Sequence, residues 1–127
     1  MGNRKVCVLI VEDEALIARC LSMDLKDEGY SVCGLVASGE EAVEKAKRDN
    51  PDIVFMDIHL AGEIDGIDAA KAIVKDKKIP ILFMTAFSGD DLKNRAKAVN
   101  PIGYLNKPVD IEEIKSVIEP LFKDDKK

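Results

Sequence analysis

The stretch Val6-Cys7-Val8-Leu9-Ile10-Val11-Glu12-Asp13 decides the fold. Six apolar residues run without a polar break, and two carboxylates follow at once. A strand with one wet face would alternate. A continuous apolar run of this length reads as a strand covered on both faces. Residues 14–28 then carry Ile17, Cys20, Leu21 and Leu25 on one helical stripe, and Gly29 stands where a left-handed residue ends a helix. A strand buried on both sides, followed by an amphipathic helix, is the opening of a helix-covered parallel sheet.

The same alternation continues outward. Residues 31–37 read as a second strand. Ser38 with Glu41 three residues on forms a capping box, opening a helix through Asp49 that Asn50-Pro51 stops. Residues 53–56 are the third strand, and a polar loop over 58–63 leads to a helix near 65–75. Residues 79–84 and 104–106 supply the fourth and fifth strands, with a helix over roughly 89–99 between them. Asp110 with Glu113 is a second capping box, opening the last helix, and Pro120 should kink or end it. Five strands alternating with five helices predict an α/β fold. Its parallel sheet has helices on both faces and right-handed crossovers. The expected strand order is 2-1-3-4-5, flavodoxin-like, with its switch point between strands 1 and 3.

A chain of 127 residues fits a single domain, 1–127, with a core at about 5–122. The 46% apolar and 34% charged residues are those of a globular protein. A net charge of -5 argues against direct nucleic-acid binding, which wants a basic stripe. No apolar run is long enough to span a bilayer, and residues 1–5 lead straight into a strand without a signal-peptide core. A cytoplasmic protein without membrane insertion is the expectation. Cys7, Cys20 and Cys33 lack metal-site spacing and are expected to be small buried hydrophobes.

Parallel strands bring their C-terminal ends to one edge, where open α/β sheets bind ligands. Glu12 and Asp13 follow the first strand, Asp57 ends the third, Thr85 the fourth and Lys107 the fifth. These five residues should converge. Three neighbouring carboxylates repel unless a cation lies among them or one is protonated. Mg²⁺ is a hard cation that prefers oxygen ligands. A nucleophilic oxygen, a metal and an opposing cation are the parts phosphoryl transfer requires.

With Asp57 in V-F-M-D-I, Thr85-Ala86 in F-M-T-A, Lys107-Pro108 in Y-L-N-K-P and the pair Glu12-Asp13, the chain resembles a two-component response-regulator receiver domain. The likeness covers about residues 5–122. It implies that Asp57 is the phosphoacceptor. Asp13, Asp57 and the backbone carbonyl of His59 would bind Mg²⁺, with Glu12 acting through water. Thr85 would hydrogen-bond the phosphoryl group and Lys107 would pair with it. Thr85 and Tyr104 would form the switch, although Tyr104 could simply pack against the fourth helix. The implied partners are a sensor histidine kinase or histidine phosphotransfer protein and an unnamed downstream effector. The output face would be the fourth helix, fifth strand and fifth helix. Such a domain catalyses only its own phosphorylation and dephosphorylation and is not otherwise an enzyme.

Two features depart from the family pattern. The run after Asp57 is D-I-H-L-A-G-E-I-D-G: it has Ala61-Gly62 where receivers commonly carry a proline, and Asp65-Gly66 falls one residue late. Phe87 is apolar at a rim position that is often polar. His59 reads as a solvent-facing rim residue, since there is no second histidine for a zinc site. A haloacid-dehalogenase-like phosphohydrolase would want an acid where His59 stands. A pseudo-receiver would lack one of the acidic or lysine positions. A dinucleotide-binding domain would need a glycine-rich loop where V-E-D-E-A stands.

Overall fold

The computed structural model describes residues 5–86 and 89–122. In chain order the elements are β1 (Cys7–Val11), α1 (Ala15–Asp27), β2 (Ser31–Val36), α2 (Gly39–Asp49) and β3 (Ile53–Asp57). Then come α3 (Gly66–Asp76), β4 (Ile81–Thr85), α4 (Asp90–Ala96), a 3₁₀ turn (Lys97–Val99), β5 (Gly103–Asn106) and α5 (Ile111–Ile118). All strand pairs are parallel, and the sheet order is β2-β1-β3-β4-β5, as the alternation predicts. β3 and β4 are buried at every residue, which explains their unbroken apolar sequences.

The sheet separates two apolar layers. Leu9, Val11, Val54, Met56 and Phe83 pack with Ala42 and Ala46 of α2 and Ile67, Ala70 and Ile73 of α3. On the other face Val8, Ile10, Phe55, Leu82 and Met84 pack with Ala18, Leu21 and Leu25 of α1 and Ile114 and Ile118 of α5. Fully burying each such large side chain contributes about 1.5–3 kcal/mol. No helix among the described residues is long and apolar enough to cross a membrane.

Local signals explain the element ends. Asp110 accepts the Glu112 amide, and Glu113 reaches back to the Asp110 amide, so the second capping box is complete. The first is only half formed. Ser38 Oγ accepts the Glu41 amide, but Glu41 turns to the amide of Ala37 instead. Gly29 has φ +95, the left-handed turn that releases the chain from α1. β4 starts two residues later than predicted, because Pro80 has no amide to give a ladder. α5 ends at Ile118, just before Pro120.

The cysteine expectation needs correction. Cys20 is exposed, and Cys7 and Cys33 are only half-buried. The buried face of α1 runs through Ala18, Leu21, Ser22 and Leu25. Cys20 lies about 200° around the helix from Ala18, at 100° per residue, so it faces away. Leu16 and Met23 are 75% and 64% exposed for the same reason. Burial, and then the neighbouring Cys7 thiol, push the Cys33 thiol up to about 12.

Asp110→Ala should lower stability by about 1 kcal/mol through loss of the α5 cap. A urea denaturation midpoint equal to that of the wild type would contradict the capping assignment.

Candidate functional site

The C-terminal edge of the sheet gathers an acidic cluster. Glu12 follows β1 and is 3% exposed; Asp57 closes β3 and is 4% exposed. Asp13 lies beside them on the surface. Each of the three can offer a carboxylate oxygen, and these oxygens lie within 4.8 Å of one another. The β1–β3 register, Val11 against Met56, puts the two strand ends level and so makes the cluster possible.

Lys107, just past β5, reaches into this cluster. Its Nζ hydrogen-bonds Glu12 Oε1 and lies 2.9 Å from Asp57 Oδ2. Burial opposes the charged ammonium, but hydrogen bonds to Glu12 and Asp57 outweigh it and raise the Lys107 pKa. Burial also pushes the Glu12 carboxyl above the usual range. The hydrogen bonds from Lys107 and the Glu14 amide pull the other way without reversing the shift. The peptide bond between Lys107 and Pro108 is cis.

The loop after Asp57 is anchored at both ends. The His59 amide donates to Asp57 Oδ1 at 3.2 Å, while the His59 side chain faces solvent. At the far end the Gly66 amide donates to the Ile58 carbonyl at 2.8 Å. The backbones are so close there that a Cβ on Gly66 would fall 2.0 Å from the Asp57 carbonyl oxygen. Asp65 caps α3 by accepting the Asp68 amide at 2.9 Å. Burial opposes its ionisation, but that amide and Arg95 hold its carboxyl below the ordinary range.

Thr85 is fully buried at the end of β4, and its carbonyl accepts the Lys107 amide at 2.7 Å. Tyr104 lies on β5 opposite Phe83, with ring centroids 6.3 Å apart. The Lys93 ammonium of α4 sits 5.6 Å from the Tyr104 ring centre. The Tyr104 hydroxyl is buried with no hydrogen-bond partner among the described residues. Phe87 lies outside the described residues.

The structure therefore brings Glu12, Asp13, Asp57 and Lys107 together and places Thr85 and Tyr104 on the two adjoining strands. Sequence reasoning missed three contacts. The first is the Lys107–Glu12 pair, 95 positions apart. The second is the packing of Gly66 on Asp57, for which the late Asp-Gly pair was the one available signal. The third is Arg95 of α4, 3.0 Å from Asp65 and 3.5 Å from Asp68. It ties α4 to the start of α3, and no local motif announces it.

Comparison with known proteins agrees with this architecture. The profile of the response regulator receiver domain matches residues 8–119. The chain is 45% identical over 112 residues to the transcriptional regulatory protein PdtaR of Mycobacterium tuberculosis, covering 88% of this chain and 54% of that protein. It thus spans about half the length of that relative. It is also 32% identical over 120 residues to the sporulation initiation phosphotransferase F of Bacillus subtilis, covering 94% of both chains. The signal receiver domain of a modulated diguanylate cyclase from Desulfovibrio desulfuricans superposes with a TM-score of 0.88 at 40% identity. That match covers 97% of this chain and 98% of the other. The chain belongs to the response regulator receiver family. It is a receiver domain, the signal-accepting module of phosphorelay signalling.

Gly66→Ala should cost about 1–3 kcal/mol, because the added methyl collides with backbone rather than with a flexible side chain. Gly89→Ala, where nothing lies within 4 Å of the new atom, is the control and should be nearly neutral. Equal denaturation midpoints for the two variants would contradict the close packing.

Proposed function

We propose that this receiver domain takes a phosphoryl group onto Asp57, with Mg²⁺ bound by the adjacent carboxylates, and changes conformation to control a partner. The observation that carries this reading is the buried Asp57 carboxylate, held between the Lys107 ammonium and two further carboxylates.

The residues fit a hard divalent cation. The donors are all carboxylate oxygens gathered within 4.8 Å of one another, the ligand type that Mg²⁺ prefers, and water would complete its shell. Burial that disfavours the charge of Glu12 is relieved when a cation lies beside it. Asp13, Asp57 and the His59 carbonyl would hold the ion directly, with Glu12 one water away. When bound, Mg²⁺ would offset negative charge on the phosphoryl oxygens.

The chain's own groups do the remaining work. An Asp57 carboxylate oxygen attacks phosphorus of the donor. A new O–P bond forms as the bond to the donor's leaving atom breaks, and the leaving atom keeps the electron pair. Lys107 already sits 2.9 Å from Asp57 and pairs with the incoming phosphoryl oxygens. The buried Thr85 hydroxyl donates to them, and Tyr104 on the next strand follows its movement. A cleft lined by Glu12, Leu16, Ile17, Cys20, Lys107 and Pro108 opens beside the site and gives a donor protein access. We assign the donor to a sensor histidine kinase or histidine phosphotransfer protein. The effector would be engaged by α4, β5 and α5. On this reading the chain is a single cytoplasmic receiver domain, not an enzyme with separate turnover.

Acetyl phosphate with Mg²⁺ should add one phosphoryl group to the wild type, read by intact mass. Asp57→Asn or EDTA should abolish the gain. Efficient labelling of the Asn variant would move the acceptor elsewhere.

Lys107 occupies the same carboxylates that a cation would use. Lys107→Ala should therefore bind Mg²⁺ at least as tightly as the wild type, while phosphorylation no longer shifts the NMR signals of α4 and β5. A large loss of Mg²⁺ affinity in this variant would contradict its assigned place.

A further inference from the structure

The loop over residues 58–64 is where this chain departs from its family, with an extra residue and no proline. Its two ends are fixed by Asp57 and Gly66. Its middle rests on the β2–α2 junction. Ala61 forms a parallel bridge with Ser38. The Glu63 amide donates to Glu40 Oε2 at 3.0 Å. Gly62 turns with φ +107 directly against the same carboxylate, so close that a Cβ there would stand 2.8 Å from Glu40 Oε1. Glu40 is on the first turn of α2, so the carboxylate that holds the loop is carried on a regular element.

The geometry points to Glu40 as a positioning residue for the phosphoacceptor loop. It holds the Gly62-Glu63 turn and so fixes the path of the chain from Asp57 through His59. Among the described residues no hydrogen bond or ion pair joins Glu40 to Asp57, Glu12 or Asp13. It acts through the backbone, in the place that a stiffening proline takes in other receivers. A loop with one residue more and no proline has more conformations to lose when the His59 carbonyl is fixed. The contact with Glu40 removes those conformations in advance. This inference rests on the proposed Mg²⁺ site, because the His59 carbonyl matters only if a cation uses it.

The full chain can be tested by NMR in wild-type, Glu40→Ala and Glu40→Gln forms. Two readouts are needed: hydrogen exchange of the Glu63 amide, and the Mg²⁺ concentration that half-saturates the shifts of Asp13, Asp57 and His59. Glu40→Ala should speed Glu63 exchange about fivefold, the loss of one hydrogen bond. It should also raise the half-saturating Mg²⁺ concentration by about threefold to tenfold, less than for a partner bonded directly to a metal ligand. Glu40→Gln keeps an acceptor oxygen and should stay within about twofold of the wild type on both readouts. Unchanged values in Glu40→Ala would overturn the inference, and so would a Glu40→Gln protein as impaired as Glu40→Ala. A wild type whose acidic residues ignore Mg²⁺ would instead defeat the metal reading itself, and this inference with it.

Discussion

The Lys107 ammonium, held between Glu12 and Asp57, is the interaction on which the rest of the edge depends. Two buried carboxylates with Asp13 beside them repel one another, and unless one is protonated they need a positive charge among them. Lys107 supplies it, and a diffusible cation would have to share or replace it. The strand order sets the distance to be crossed. β4 lies between β3 and β5, so the lysine must span the width of one strand to reach Asp57. β4 ends at Thr85 and Ala86 follows it, two small residues on the route. A flexible four-carbon stem with a compact ammonium suits this reach better than a planar guanidinium.

The site is therefore a balance of charges carried on a stiff frame. β1 and β3 are fully paired and nearly all buried, so Glu12 and Asp57 leave the sheet at fixed positions. What surrounds them is held by turns and side chains rather than by the sheet ladder. The loop after Asp57 leans on α2 and α3, and α4 is tied to that loop's end by Arg95 and packed on Tyr104 through Lys93. A change of charge at Asp57 thus meets Lys107 on one side and the Asp65-Gly66 turn on the other. Both lead to the surface formed by α4 and β5.

Most of the frame was legible in the sequence, because its causes are local or topological. Continuous apolar runs, capping residues, Gly29 and Asn50-Pro51 mark the elements. Parallel strands then carry residues 12, 57, 85 and 107 to one edge without further information. Reading failed where orientation depends on packing. α1 offers more apolar residues than its buried face can use. Only the structure shows that Ala18 and Ser22, not Ile17 and Cys20, lie inward. It failed again for polar contacts between residues distant in sequence. Glu40 with Glu63 and Arg95 with Asp65 are 23 and 30 positions apart, and neither pair has a signature spacing. Glu41 was read correctly as a capping residue and still chose the neighbouring amide, a difference of one residue that propensity does not resolve.

The measurement closest to the central claim is a crystal structure of the chain with Mg²⁺ and beryllofluoride, a stable mimic of an acyl phosphate. The account predicts beryllium bonded to an Asp57 carboxylate oxygen and Mg²⁺ among Asp13, Asp57 and the His59 carbonyl. It also predicts that the Lys107 ammonium has left Glu12 for a fluorine of the bound group. Beryllofluoride bound at another residue, or Lys107 still bridging Glu12 and Asp57 with the mimic in place, would contradict it.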